Sequence, residues 1–331
     1  MKILITGASG FIGSFIVEHA LKEGMEVWAG IRRSSSRAYL TDRRIHFLEL
    51  DLSDAGKLKT ALEGQCFDYV VHAAGATKCL HEHDFYKTNT EGTIHLAEAL
   101  METHKNLKKF VYISSLSVFG PIREQQPYTD ITADDIPRPN TAYGRSKLSG
   151  ENYLDSLGDR LPCVTLRPTG VYGPREHDYF LMARSIKGHT DFAVGYRPQV
   201  LTFVYVSDVV QAVFLALEKG HAGSKYFLSD GHIYASRTFS DLIRQELGNP
   251  WLLRIKAPIA VLRLVTFFGE YIGRLRGKVT ALNNDKYHIM KQRNWQCDIA
   301  PACRELGYRP QYDLARGVKE TIAWYRQNGW L

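Results

Sequence analysis

The sequence predicts an α/β fold: a doubly wound parallel sheet with a smaller, discontinuous C-terminal lobe that would hold the substrate. Short, nearly all-apolar strand segments alternate with helical periodicities through the first half of the chain. A glycine-rich turn joins the first strand to the first helix, and after Pro168 the regular alternation loosens.

The chain opens on a strand, Lys2–Thr6, followed by a helix over Phe11–Lys22 and a second strand, Glu26–Ile31. His46–Leu50 and Tyr69–Ala73 read as the third and fourth strands, separated by a helix over Asp54–Leu62. A helix over Thr90–Thr103 leads to the fifth strand, Phe110–Ser114, and a helix over Tyr143–Ser156 to the sixth, Cys163–Arg167. Strands this rich in Val, Ile and Phe belong in a parallel sheet buried on both faces. Right-handed crossovers then distribute the helices over both faces. Residues 1–168 are accordingly assigned to a dinucleotide-binding domain and 169–331 mainly to a substrate lobe. Segments near 203–217 and 225–229, with strand-like Phe203–Tyr205 and Tyr226–Leu228, are expected to return to the first domain. Leu314–Trp324 has helical spacing and is expected to close over one lobe.

With 331 residues, 44% hydrophobic and 23% charged, the chain has ample material for a packed core. Its five cysteines never form a C-x-x-C pair, which argues against a disulfide framework or zinc ribbon and for a reducing compartment. The opening strand shows no charged n-region followed by an apolar stretch, so a cytoplasmic location is expected. No run reaches the ~18 apolar residues of a spanning helix. The net charge of +7 is spread along the chain, so nucleic acid is not an expected partner, whereas an anionic cofactor is.

The turn Gly7-Ala8-Ser9-Gly10-Phe11-Ile12-Gly13 has the placement of a dinucleotide loop. Its first two glycines allow a tight turn and close approach of a pyrophosphate to the helix N-terminus. The third lets helix and strand pack closely. Gly7, Ser9, Gly10, Phe11, Ile12 and Gly13 are therefore candidate cofactor contacts. The second strand ends without an acid, and Arg32 and Arg33 follow it directly. A guanidinium suits a 2′-phosphate, so NADP(H) is expected over NAD(H), with a solvated surface run as the bland alternative. Asp51 and Leu52 after the third strand would face the adenine, and Ala73, Ala74 and Gly75 after the fourth supply small residues where the cofactor crosses the sheet.

Tyr143 and Lys147 are four residues apart and share one helix face. A phenol with an ordinary pKa of about 10 is a poor base at neutral pH, and a lysine one turn away together with the positive charge of an oxidised nicotinamide is expected to lower it. Tyr143 is thus the candidate general acid–base, Lys147 its partner, and Ser115 the hydroxyl that would hold a substrate oxygen, with Ser117 in reserve. Cys79, His81 and His83 lie close in sequence but lack a fourth ligand, so no metal is expected.

These motifs resemble the extended short-chain dehydrogenase/reductases, the NAD-dependent epimerase/dehydratase superfamily. The matching residues are Gly7–Gly13, Asp51, His72–Gly75, Asn89-x-x-Gly92-Thr93, Ser114–Gly120, Tyr143–Lys147, Arg167–Pro174, Phe203–Asp208 and the terminal Leu306-Gly307-Tyr308-x-Pro310. The resemblance implies a Rossmann domain and hydride transfer at the nicotinamide. It further implies contacts from Lys147 to the nicotinamide ribose and from Pro168 and Val171 to the cofactor. A homodimer is implied too, built from helices near Asp84–Met101 and Tyr143–Leu154.

Departures from the family pattern narrow the activity. Ser115-Leu116-Ser117 stands where the sugar-nucleotide dehydratases carry Thr-Asp-Glu, and leucine cannot serve in an elimination. Gly170 stands where nucleotide-sugar epimerases carry an asparagine. Arg167-Pro168-Thr169-Gly170 looks more like the 3β-hydroxysteroid dehydrogenases and dihydroflavonol reductases. The expected function is therefore NAD(P)-dependent oxidation or reduction of an apolar, steroid- or flavonol-like compound. The alternatives are a nucleotide-sugar epimerase and a non-catalytic NADP(H) sensor, the last opposed by the intact Tyr143 and Lys147. Asp178-Tyr179-Phe180 could line the pocket or only form a loop. Ala257–Leu275 reads as an apolar helix flanked by Arg254, Lys256, Arg274 and Arg276. It would pack in the core, cover an apolar substrate, or make peripheral contact with a membrane.

Overall fold

The computed structural model describes residues 1–277 and 283–331, apart from the side chains of residues 272, 274 and 275. Six strands fall in the first 168 residues: β1 (Lys2–Thr6), β2 (Glu26–Ile31), β3 (His46–Glu49), β4 (Tyr69–His72), β5 (Lys109–Ile113) and β6 (Cys163–Pro168). Shorter ones follow: β7 (Gly170–Tyr172), β8 (Thr190–Val194), β9 (Val200–Leu201), β10 (Phe203–Tyr205), β11 (Lys225–Leu228), β12 (Tyr234–Ala235) and β13 (Leu253–Ala257). The first six and β11 form one parallel sheet in the order β11-β6-β5-β4-β1-β2-β3. The strand order reverses between β1 and β4, which opens a crevice at the carboxyl ends of the strands, where such folds bind ligands.

The helices are α1 (Phe11–Lys22), α2 (Ala55–Leu62), α3 (Glu82–Tyr86), α4 (Gly92–Thr103), α5 (Ala142–Leu157), α6 (His177–Lys187), α7 (Val206–Lys219), α8 (Thr238–Glu246), α9 (Ile259–Arg276), α10 (Asn284–Lys291) and α11 (Leu314–Gln327). Five of them, α1, α7, α2, α4 and α5, cover the two faces of the sheet. One core holds Ile16, Val17, Val209 and Val213 from α1 and α7 against Ile3, Val71 and Val164. The other holds Leu58, Leu96, Leu100 and Leu154 from α2, α4 and α5 against Leu4, Val70 and Phe110. The starts of α2, α5 and α11 are fixed by side-chain caps: Asp54 accepts the Lys57 N–H, Thr141 that of Gly144 and Asp313 that of Arg316.

The expected α/β architecture is present, with differences of physical interest. The helix expected over Thr90–Thr103 begins earlier, because a π-turn over Lys87–Glu91 joins α3 to α4. Lys225–Leu228 joins the central sheet beside β6 and α7 covers it, whereas Phe203–Tyr205 pairs with Gly170–Tyr172 in a two-stranded sheet of its own. The apolar helix starts at Ile259 rather than Ala257, since Ala257 is still in register with Val194 across the β8–β13 pair. Arg274, expected on its flank, lies outside the described side chains. The C-terminal lobe has an aromatic core in which Tyr172, Phe203, Tyr205, Phe239 and Tyr325 are buried together. Among the described residues no helix is long and apolar enough to cross a membrane.

Candidate functional site

Two cavities lie at the carboxyl edge of the sheet. The first, about 670 Å³, is lined by Gly7, Ser9 and Gly10, by Arg32 and Ser35 beyond β2, by Asp51 and Leu52 beyond β3, and by Ala73–Ala76 beyond β4. Gly7 has φ +67°, and a Cβ there would stand 2.6 Å from the Ala74 nitrogen; one at Gly13 would stand 2.1 Å from the Gly7 carbonyl oxygen. The turn therefore tolerates no side chain at either position. Gly10 caps α1 with no side-chain bond to its first amides, and the first turn carries no acid. The free amides and the dipole favour an anion there. The residues present thus fit the pyrophosphate of a dinucleotide.

A buried polar chain supports the floor. Thr93 donates its hydroxyl to the Asn89 carbonyl at 2.7 Å, so His72 Nε2 donates to Thr93 Oγ1 at 3.0 Å and Nδ1 accepts from Thr6 Oγ1 at 2.6 Å. Burial, helped by the Lys147 charge, pushes His72 down to about 3, so it stays neutral. The Asn89 amide bridges Ala76 and Ser146 Oγ and thereby ties the β4 loop to α5.

Tyr143 and Lys147 project from the first turns of α5. Burial pushes the Tyr143 phenol up to about 12, while a hydrogen bond with Ser115 pulls it back. Of the two charges expected to lower it, Lys147 and the nicotinamide, Lys147 is engaged elsewhere: the ammonium donates to the Ile113 carbonyl at 2.8 Å and lies 4.7 Å from the centroid of the Tyr112 ring. Burial brings Lys147 itself down to about 8, opposed by the Glu151 carboxylate. A Cβ at Gly75 would stand 3.1 Å from Lys147 Nζ and would crowd the ammonium against the β4 loop.

The second cavity, about 310 Å³, is walled by Ser115–Ser117, Pro168–Gly170, Tyr179, Phe192, Phe203, Phe239, Ile289, Met290 and Trp295, among others. Arg237 is the sole cation lining it among the described residues, and its Nη1 lies 2.6 Å from the buried Asp191 carboxylate. The space beside Gly170 is filled: a Cβ there would stand 2.7 Å from Tyr179 Oη and 3.2 Å from the Phe203 ring.

The model of the NAD dependent epimerase/dehydratase family matches residues 3–229. The chain belongs to this family. It is an enzyme of the extended short-chain dehydrogenase/reductase type, with relatives among dehydratases, epimerases and dehydrogenases. An uncharacterized UDP-glucose epimerase of Bacillus subtilis is 29% identical over 98% of this chain and 98% of its own. The sterol-4-alpha-carboxylate 3-dehydrogenase (decarboxylating) of Candida albicans is 24% identical over 99% and 98%. The dTDP-glucose 4,6-dehydratase of Streptomyces venezuelae, solved with NAD bound, superposes with a TM-score of 0.80 at 25% identity, over 100% and 98% of the two chains.

Within this family member, the structure brings together most residues singled out from the sequence. Gly7, Ser9, Gly10, Arg32, Asp51, Leu52, Ala73, Ala74 and Gly75 line the first cavity, and Ser115, Ser117 and Pro168 line the second. Arg33 is exposed outside the cavity, Phe11 packs on Phe15, Ile12 joins the core, and Val171 pairs with Val204 in the β7–β10 sheet. Asp178-Tyr179-Phe180 belongs to α6, where Tyr179 lines the pocket and Asp178 binds Lys78 and Lys286. Three features escaped sequence reasoning. Glu151 is fully buried between Arg167, 2.6 Å away, and the Ser114 hydroxyl, which holds the end of β5 to α5. Lys78 and Lys87 add cations to the first cavity. Asp285 of α10 reaches the N-terminus of α5. The local signal for any of them is the four-residue spacing of Lys147 and Glu151, which puts both on one helix face.

Proposed function

We propose that this enzyme is an NADP(H)-preferring dehydrogenase or reductase acting at a hydroxyl or ketone carbon of an apolar substrate, with NAD(H) as the weaker cofactor. The carrying observation is the aromatic filling beside Gly170: Tyr179 and Phe203 occupy the place where an epimerase would present an asparagine to a nucleotide diphosphate. The pocket agrees, because the one cation on its wall among the described residues is already paired with the buried Asp191 carboxylate. An elimination is disfavoured as well. Leu116 is 1% exposed at the position of a dehydratase acid, and Asp191, the sole carboxylate on the wall among the described residues, is held by Arg237 and Ser240. Arg32 supports the cofactor preference: it follows β2 directly and lines the cavity, and no acid stands there to repel a 2′-phosphate.

The chain's own groups divide the work. The glycine turn and the α1 amides bind the pyrophosphate, Arg32 the 2′-phosphate, and Lys147 the nicotinamide ribose. The bound nicotinamide supplies or accepts a hydride. Ser115 positions the substrate oxygen beside Tyr143. In reduction the phenol gives its proton to that oxygen; in oxidation the phenolate removes it.

The test is NADPH consumption with a 3-ketosteroid, set beside UDP-glucose with either cofactor. Net oxidation of NADPH by the ketone supports the proposal. Conversion of UDP-glucose without net redox change, together with NAD retained on the protein, would replace it with the epimerase reading that the Bacillus relative favours.

A further inference from the structure

We propose that the outer face of α9 seats the molecule on an anionic lipid surface. α9 packs on α10, and its described buried residues Leu262, Thr266 and Gly273 fall on one narrow stripe. At 3.6 residues per turn the opposite face carries Val261, Leu264, Phe267, Phe268 and Tyr271, with Val265 on its flank. These six side chains are between 46% and 66% exposed. A helix of a water-soluble surface shows the reverse order, with its apolar stripe turned inward.

Among the described side chains of α9 the exposed charges are cations. Arg263 borders this face, Arg276 follows at the end of the helix, and exposed Lys256 stands on the strand that leads into it. Glu270 lies on the side of the buried stripe, where it accepts the Asn284 N–H at 3.1 Å. An apolar face rimmed by cations matches the boundary between acyl chains and anionic headgroups, with the long basic side chains reaching back towards the phosphates. A second copy of the chain fits less well, because a two-fold contact through this face would bring the same cations against each other. Nor does α9 cover the substrate: none of its described residues lines the pocket.

The helix is linked to a wall of the substrate site through β13 and α10. β13, which leads into α9, pairs with β8 so that Ile255 lies opposite Phe192. Phe192 is 61% exposed and forms part of the pocket wall together with Ile289 and Met290 of α10. A molecule lying on α9 would thus hold its apolar pocket close to the lipid.

The experiment is flotation of the full chain with phosphatidylcholine vesicles, with and without phosphatidylglycerol, at low and high salt. The expected result is flotation with the anionic vesicles, weakened by salt. The Phe267→Ser/Phe268→Ser double variant should partition about tenfold less or weaker still, with an unchanged melting temperature. Failure to float with either vesicle, equal flotation with both, or undiminished flotation of the variant overturns the proposal. So does a wild-type dimer that stays with the lipid-free fraction and that the double variant converts to monomers, since the occupant is then a second copy. Partition is read without cofactor or substrate, so its outcome is independent of the activity proposed above.

Discussion

The carboxylate of Asp285 sits on the backbone of Tyr143. One oxygen accepts the Ala142 N–H at 2.9 Å and the other the Tyr143 N–H at 3.0 Å, across 142 residues of sequence. Thr141 already caps α5 through the Gly144 amide at 2.9 Å, so Asp285 satisfies the two amides that this cap leaves open. A negative charge there also complements the helix dipole. The small lobe therefore fixes the position from which the phenol projects.

Asp285→Ala is expected to lose about 1 kcal/mol of stability, the usual cost of a lost cap. Turnover should fall with little change in cofactor affinity, because the amides freed lie next to Tyr143 and not in the dinucleotide cavity. Thermal melting and a KM-against-kcat comparison check this. Asp285→Asn, which keeps acceptor capacity, should recover part of both.

Tyr143→Phe should lower turnover by roughly a hundredfold or more while NADPH still binds. The phenol, pushed up to about 12 by burial, is protonated across the neutral range. Reduction, which needs the protonated form, should therefore be nearly flat around neutrality. Oxidation, which needs the phenolate, should rise as pH increases. A pH–rate profile in both directions with matching slopes would contradict the assignment.

Lys147 carries a stability signature of its own. Its folded value of about 8 lies below the ordinary 10.5, so the fold penalises the charged form. Below about 8 the group is charged folded and unfolded, and the penalty is fully present. Between about 8 and 10.5 the unfolded chain binds more protons, so this residue's contribution to stability improves as pH rises through that window. Lys147→Met should flatten that part of the stability–pH curve, measured by denaturant titration.

What could be read in the sequence follows from what is local. Gly7 and Gly13 announce the cofactor turn because the positive φ of Gly7 and the packing of Gly13 on the Gly7 carbonyl are set within a few residues. Tyr143 and Lys147 announce themselves because four residues on a helix fix a shared face. The contact of Asp285 with Tyr143, the burial of Glu151 by Arg167, and the filling of the Gly170 site by Tyr179 depend on segments brought together only by the finished fold. The rise of the Tyr143 phenol escaped for the same reason: burial is a property of the whole site, and it outweighed the neighbouring lysine that the motif had suggested.

Arg32→Ala should weaken NADPH binding about tenfold and NADH binding much less, the scale of one exposed charge-assisted contact to phosphate. Arg33→Ala, on a side chain outside the cavity, should change neither. Titration of protein fluorescence with each cofactor separates the two. An equal loss for both cofactors at Arg32 would remove the case for 2′-phosphate recognition.

Gly170→Asn tests the specificity argument most directly. The new side chain would have to displace Tyr179, whose ring stacks on Phe239 at 4.5 Å and whose hydroxyl stands where the Cβ would go. Overpacking of this kind costs about 1–3 kcal/mol, so the single variant should melt earlier and lose ketone reduction. Gly170→Asn/Tyr179→Ala opens the space again and should recover stability. If the double variant also gains thermal stabilisation by UDP-glucose, Tyr179 is what excludes a nucleotide sugar from this pocket. If the wild type is already stabilised by UDP-glucose to the same degree, the aromatic filling does not select the substrate, and the apolar assignment falls with it.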